Sequence, residues 1–393
     1  MNIYDPDAPY YRPRYNWQFA NWPNFVWDSR KLAGKLAKAN QLRQQFSEQF
    51  SAFKAEIGWQ EHYEASFTHE ILETSKIEGV RLDADNIRSS VAQHFQPTLK
   101  QKQKQKNRPT DEHNLLVKII TDACENYQRN LSKEILFDWH NWLFPTGTSG
   151  YLVIRVGDWR LEDIDVIDIK KNMPDYVAPP PDIVPNEMER FINWCNGKYF
   201  LDQKIPNIND LDPIIQSGLA HFWFETIHPF QDGNGRIGRN LALFLLNRAY
   251  QDSQPFHMLS KHISHHQRKY YENLNKASKS DGDITDWLLY YCEIFILAIN
   301  EAILKYDKLV FKSNFWYAYG HLEIDAKLKK SLNTYFDSDK NKTDFSTKEW
   351  QSIGNYSSND AALNAINFMI KNGLAKPSAG GRSARYELIL NKA

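Results

Sequence analysis

At 393 residues the chain is too long for one compact core of ordinary size, so two or three domains are expected. Lys plus Arg and Asp plus Glu both number 48, which excludes an overall field favouring nucleic acid or an anionic membrane and leaves room only for a local basic patch. Aromatic residues at 14 %, among them 12 Trp and 20 Tyr, exclude a largely disordered chain.

Three widely spaced cysteines, Cys124, Cys195 and Cys292, form no CxxC pair and give no sign of a disulfide framework or zinc site, which suits a reducing compartment. The opening stretch MNIYDPDAPYYRPRYNW is polar and aromatic, with no apolar leader core. No run approaches the roughly 18 apolar residues of a membrane span. A soluble cytoplasmic protein with no membrane partner is the expectation.

In chain order, residues 16–28 (NWQFANWPNFVWD) alternate aromatics with turn formers and read as a segment that clasps another surface. A long amphipathic helix rich in Ala, Leu, Lys and Gln is predicted from Ser29 to about Gln60. A second runs from about Tyr63 to Ile77 and stops at Gly79, a C-cap glycine. The low-complexity run at 97–110 (PTLKQKQKQKNRPT) is an exposed loop, a solvated charge run rather than a nucleic-acid contact. Helical patterns resume from Asp111 to Phe144 and end in the turn cluster PTGTSG. Residues 157–169 (GDWRLEDIDVIDI) change character: Val166, Ile167 and Ile169 are β-branched, and the polar interruptions predict a short hairpin. A proline-rich loop then leads back into a helix. Residues 211–227 are dense in apolar side chains at helical spacing, and the pattern resumes at 239–250, so two buried helices flank the loop between them. Further helices fill 261–312.

The last part reads as a short helix, a turn, a helix over 360–372, then strand, Gly380-Gly381 tip, strand. That order resembles the winged-helix domains of transcription regulators. Its second helix shows Asn359, Asp360, Asn364, Asn367 and Lys371, which is not a basic face, and Arg382 and Arg385 are the only evident phosphate contacts. DNA is therefore the weaker partner for it. His140 and His221 read as core groups, and His262, His265 and His266 lack a carboxylate or cysteine at ligand spacing.

The loop HPFQDGNGRIGR, residues 228–239, carries the chemistry. Gly233, Gly235 and Gly238 satisfy GxGxxG, but a dinucleotide fingerprint must follow a strand, and here a helix precedes it. The same glycines let successive amides converge on an anion at the start of a helix. Arg236 and Arg239, three apart, reach a polyphosphate from one side with bidentate forks. Asp232 is a hard oxygen ligand suited to Mg²⁺ shared with phosphates. His228 is the natural general base for a hydroxyl.

The stretch resembles the Fic-family signature HPFxDGNGRxxR at every specified position: His228, Pro229, Phe230, Asp232, Gly233, Asn234, Gly235, Arg236 and Arg239. The resemblance extends to FDWHNWLF (137–144), to the hairpin with the following APPP, and to residues 268–288. It implies a mainly α fold, a Fic-type helical bundle with a small β-hairpin flap plus the C-terminal winged helix, with domains at 1–110, 111–312 and 313–393. It also implies transfer of AMP from ATP to a Ser, Thr or Tyr hydroxyl of a target protein. His228 is then the base and Asp232 the Mg²⁺ ligand. Gly233, Asn234 and Gly235 cradle phosphates in a loop completed by Gly238, Arg236 and Arg239 hold the β- and γ-phosphates, Phe230 anchors the loop, and Tyr271 contacts the nucleotide. The 157–169 hairpin docks the target by strand addition, and a homodimer is expected.

Residues 74–79 (TSKIEG) resemble the family's inhibitory motif, (Ser/Thr)xxxE(Gly/Asn). Thr74 and Glu78 are four apart and share a helix face, and Gly79 ends the helix. By the resemblance, Glu78 pairs with Arg239 and displaces the γ-phosphate. Two other readings stay open: removal of AMP, or another phosphate-ester transfer, at the same site, and a DNA-binding regulator whose Fic domain is a sensor.

Overall fold

The computed structural model describes residues 13–53, 59–96, 111–168, 173–198, 205–251, 259–337, 344–379 and 384–389. The run at 97–110, Ile169, and the wing tip with Gly380, Gly381 and Arg382 lie outside the described residues.

In chain order the elements begin with α1 (Ser29–Phe53), α2 (Trp59–Ile77), α3 (Ala84–Phe95), α4 (Asp111–Glu125) and α5 (Lys133–Leu143). Two small hairpins follow, β1 (Thr148–Ser149) with β2 (Leu152–Val153), and β3 (Asp165–Asp168) with β4 (Met173–Val177). Then come α6 (Val184–Cys195), α7 (Pro213–Ile227), α8 (Asn234–Tyr250), α9 (Leu259–His265), α10 (Gln267–Ser278) and α11 (Thr285–Tyr319). The last elements are α12 (Ala326–Asp337), β5 (Asp344–Ser346), α13 (Thr347–Gly354), α14 (Asn359–Lys371), β6 (Ala375–Ala379) and β7 (Arg385–Leu388). The fold is mainly helical, as the sequence predicts. It divides into two compact units: Met1–Gln45 with Glu61–Asn300, and Phe46–Gln60 with Glu301–Ala393.

In the first unit α7 and α8 form the buried centre. Asp212 caps α7 by accepting from the Ile214 amide at 2.9 Å, and Pro213 supplies a pre-set φ at the first turn. Nearly every residue of α7 from Ile214 to Ile227 is buried, so this helix shows no polar face. Polar side chains that it and its neighbours bury are spent on backbone carbonyls: Ser217 on Ala242 at 2.8 Å, Trp287 on Gly218 at 2.8 Å, and Asn240 on Ile119 at 3.2 Å. α4 packs here because Val117, Ile120, Ala123 and Cys124 fall on one face at three- and four-residue spacing. The aromatic segment of 16–28 does clasp: Phe25 lies edge-on to Phe222 and Trp223, with ring centroids 5.5 and 5.8 Å apart.

The hairpin differs from its expected place. Its first strand is Asp165–Asp168, and its second is Met173–Val177, beyond the stretch predicted to hold both. The pairing shifts between Val166 and Ile167, opposite the segment that contains Pro174. Proline in the second strand hid it from a propensity reading, since proline is tolerated in sheets only at edges and bulges. Residues 157–160 are not strand, and Gly157 takes φ +67°.

In the second unit, β5, β7 and β6 form a three-stranded antiparallel sheet in that spatial order, beside α12, α13 and α14. Its own core gathers Phe315, Leu332, Phe345, Trp350, Ile366 and Leu388. Ser346 caps α13 through a reciprocal pair with Glu349.

One described helix, α11, is long and apolar enough to cross a membrane by length and composition, a feature that a search for uninterrupted apolar runs does not register. Most of its apolar window is buried inside the protein, as in a core helix.

Candidate active site

α7 ends at His228, which adopts the left-handed conformation (φ 51°, ψ 59°) and turns the chain out of the helix. Gly233, at φ +83°, turns it into α8. A Cβ at Gly233 would stand 2.7 Å from the Phe144 ring and 2.8 Å from Leu143, so this position excludes side chains on both counts. The first helical bond of α8 runs from the Ile237 amide to the Gly233 carbonyl at 3.0 Å. The amides of Asn234, Gly235 and Arg236 precede it at the positive end of the helix.

The loop is held from beneath. Phe230 is fully buried and stacks on His140, with centroids 4.1 Å apart and planes 15° apart. His140 accepts from the Gly157 amide on Nδ1 at 3.1 Å and donates from Nε2 to the Asp232 carbonyl at 3.1 Å. One tautomer satisfies both bonds, and burial pushes the ring down to a pKa of about 4, so it stays neutral. His140 is thus a core group that also fixes the loop. His221, likewise buried, pairs with the Tyr270 hydroxyl at 2.8 Å. Asn234 closes the loop: its side chain accepts from the Phe230 amide at 2.9 Å and donates to the Phe230 carbonyl at 2.8 Å. Its side chain is therefore committed, and its backbone amide is what it offers an anion.

His228 is half-buried. Its Nδ1 faces the Glu225 carbonyl at 3.3 Å, which places the proton there and leaves Nε2 as the acceptor. Burial, helped by the nearby Arg160 guanidinium and opposed by Glu225, Glu78 and Asp232, lowers its pKa to about 4. The imidazole is neutral at pH 7. Asp232 accepts from its neighbour's amide, Gly233, at 2.5 Å and from the Ser149 hydroxyl.

Arg236 lies over the Phe144 ring at 5.0 Å, and its buried Nε has no partner. Arg239 is 4 % exposed and donates from Nε to Thr74 Oγ1 at 2.8 Å, and from Nη2 to the Thr74 carbonyl at 3.0 Å and Glu78 Oε1 at 2.7 Å. Its buried Nη1 has no partner. Glu78 stands just past the end of α2, where Gly79 takes φ +75° and Gln267 caps the Ile77 carbonyl at 2.7 Å. The Glu78 carboxylate lies against Gly235, where a Cβ would collide with it. A Cβ at Gly238 would meet Glu225 Oε1 at 2.5 Å, so this glycine allows α8 to approach α7. Tyr271 is 43 % exposed beside Tyr270, with ring centroids 5.1 Å apart.

The structure therefore brings Thr74, Glu78, His228, Asp232, Gly235, Arg236 and Arg239 to one end of the α7–α8 pair. Sequence reading missed Ser149, Arg160 and Glu225. Glu225 had a signal: it is the one acid in a helix dense in apolar side chains. Ser149 and Arg160 had none, because their roles depend on contacts with distant segments. Among the described residues no three His, Cys, Asp or Glu side chains gather as a metal centre. The single carboxylate of Asp232 fits a hard cation that takes its remaining ligands from phosphate and water, and the unsatisfied nitrogens of Arg236 and Arg239 fit the phosphate.

Residues 130–246 match the Fic/DOC family, and residues 15–96 match a domain of unknown function (DUF4172). A probable protein adenylyltransferase of Aquifex aeolicus is 29 % identical over 157 residues, 38 % of this chain and 44 % of the relative. The protein adenylyltransferase Fic of Nematostella vectensis is 36 % identical over 107 residues, 27 % of this chain and 22 % of the relative. The matched region spans less than half the length of either relative. The fold resembles that of a Fic family protein of Desulfovibrio desulfuricans, with a TM-score of 0.55 at 16 % identity over 94 % of this chain and 99 % of that one. The Fic/DOC match at residues 130–246 takes in the loop, all of α7 and most of α8.

Proposed function

We propose that the protein is an adenylyltransferase that moves AMP from ATP to a Ser, Thr or Tyr hydroxyl of a target protein, held in check by Glu78. The observation that carries this is the pair of guanidinium groups at the loop, each with a buried nitrogen that lacks a partner, one of them engaged by the Glu78 carboxylate at 2.7 Å. Buried donors without partners are costly unless a ligand completes them, and phosphate oxygens match the guanidinium fork.

In this reading the neutral His228 Nε2 takes the proton of the attacking hydroxyl. The oxygen forms a bond to the α-phosphorus, the bond to the β-phosphate oxygen breaks, and pyrophosphate leaves. Arg236 and Arg239 hold the departing phosphates, and the amides of Gly233 to Gly235 line the anion's path. Asp232 would hold Mg²⁺, which when bound supplies charge neutralisation at the phosphates. Ser149 orients that carboxylate. Tyr271 borders the nucleotide site. The β3–β4 hairpin receives the target backbone by strand addition.

Glu78 restrains the reaction by occupying Arg239 Nη2, with Thr74 taking two further bonds of the same fork. We assign 1–110 to a restraining region, 111–312 to catalysis, and 313–393 to a winged helix that contacts protein. The exposed face of α14, with Asn359, Asp360, Asn364, Asn367 and Lys371, lacks the positive charge that DNA requires. A cytoplasmic homodimer completes the proposal.

The test incubates wild type, Glu78→Gly, and Glu78→Gly with His228→Ala with α-labelled ATP and Mg²⁺, alone and with cell lysate. Label on protein in the single variant and none in the double variant is expected. Absence of label in both sinks the transferase reading.

A further inference from the structure

Arg160 is 1 % exposed, yet its guanidinium is spent on backbone carbonyls rather than on a carboxylate. Nε donates to the His228 carbonyl at 2.8 Å, and Nη1 to the Glu162 carbonyl at 2.8 Å. Nη2 donates to the Pro179 carbonyl and, at 3.5 Å, to that of Ile227. Its own amide donates to the Pro229 carbonyl at 2.9 Å. Burial disfavours its charge, so this placement has a cost that its bonds must offset.

Two of these carbonyls, Ile227 and His228, end α7, where a helix leaves its acceptors unsatisfied and favours a cation. A capping arginine would need nothing more. Glu162 and Pro179, however, are the two feet of the β3–β4 hairpin, and the Ala178 amide closes the same stem on the Ile164 carbonyl at 3.0 Å. The hairpin adds a second tie: Tyr176 on β4 donates to the Thr226 carbonyl at 2.6 Å. The three consecutive carbonyls that end α7 are thus held by side chains from the hairpin or its stem.

We propose that Arg160 is a positioning residue that sets the β3–β4 hairpin in register with His228, so that a hydroxyl presented on the hairpin arrives within fixed reach of the imidazole. The inference rests on the transferase reading. Arginine is required because its planar fork reaches three segments at once, whereas the lysine ammonium is a single point. Attack by water on ATP uses His228 and the anion loop without the hairpin, and does not depend on this register.

The experiment uses the full chain carrying Glu78→Gly, with Arg160→Gln or Arg160→Lys added. It compares labelled AMP bound to protein, in the chain itself and in added cell lysate, with labelled AMP released to water. Amide hydrogen exchange is followed over 161–168, 173–179 and 224–231. The expected result is joint loosening of all three segments and a fall of about ten- to hundred-fold in protein labelling, the scale of a misplacement of about 1 Å, with AMP release to water largely kept. Loosening of 224–231 alone, or an equal fall of both reactions, overturns the proposal and leaves Arg160 a helix cap. Full activity in Arg160→Lys also overturns it, since charge would then suffice. Should Arg160→Gln not fold, the lysine variant decides by the same readings. If the parent forms no AMP at all, the transferase reading has failed, and the coupling stands or falls on exchange.

Discussion

Across 161 positions of chain, the Glu78 carboxylate accepts from Arg239 Nη2 at 2.7 Å, and the Thr74 side chain and carbonyl hold the rest of that edge of the guanidinium. The carboxylate is partly open, at 29 % exposed, while the arginine side chain is 3 % exposed. The arginine is fixed and the glutamate is the partner that can leave. Removing it with Glu78→Gly frees one donor where a γ-phosphate would bind. A charge-assisted bond of about 1.5–3 kcal/mol corresponds to about a ten- to hundred-fold gain in AMP transfer. Labelled AMP incorporation and calorimetric ATP affinity measure it, and an unchanged rate would remove Glu78 from any restraining role.

Thr74→Val takes only the hydroxyl from Arg239 Nε and leaves the Thr74 carbonyl and Glu78 in place. The expected outcome is a smaller rise than for Glu78→Gly, together with a lower melting temperature from the newly unsatisfied buried donor. A rise as large as that of Glu78→Gly would assign the restraint to the geometry of α2 rather than to the carboxylate.

His228→Ala should cost about 10²–10⁴-fold in transfer, the usual worth of a positioned general base. The pH profile is a sharper check. Because burial and Arg160 lower the imidazole pKa to about 4, the base is neutral through the physiological range, and its acid limb belongs near pH 4. The rate of the Glu78→Gly protein should show no histidine-dependent loss between pH 8 and 6. A limb centred near 6.5 would contradict the environment described for His228.

The loop was legible because its residues are local: histidine, carboxylate, glycines and arginines fall within residues 228–239, and α7 and α8 show plain helical spacing on either side. Thr74 and Glu78 were visible by their four-residue spacing at a helix end, but only the fold brings both to Arg239, Thr74 from the last turn of α2 and Glu78 from just beyond it. Where contacts are long-range, the sequence was silent. Ser149 reaches Asp232 from a two-residue strand, and Arg160 serves carbonyls on three segments. The hairpin was displaced for a related reason, since Arg160 and Gly157 commit their stretch to the site and Pro174 disguises the true second strand.

Two buried acids near Arg239 make stability depend on pH. Burial raises Glu70 to about 7, with the Ser260 hydroxyl and Arg239 opposing it. Burial raises Glu225 to about 8, with Arg239 opposing and Glu78 adding. A carboxyl whose folded pKa exceeds its unfolded value contributes stability that is complete below about 4.5 and is lost as pH rises through the folded value. The buried histidines act in the opposite sense. His140, His221 and His228 are lowered to about 4, so they destabilise the fold as pH falls from 6.5 to 4. Above pH 6.5 their effect has levelled off and only the acids still act. Glu225→Gln, which mimics the protonated acid, should therefore gain in melting temperature relative to wild type between pH 6 and 8.5. Parallel melting curves over that range would mean that Glu225 is already charged in the folded protein, paired with Arg239 and not held neutral by burial.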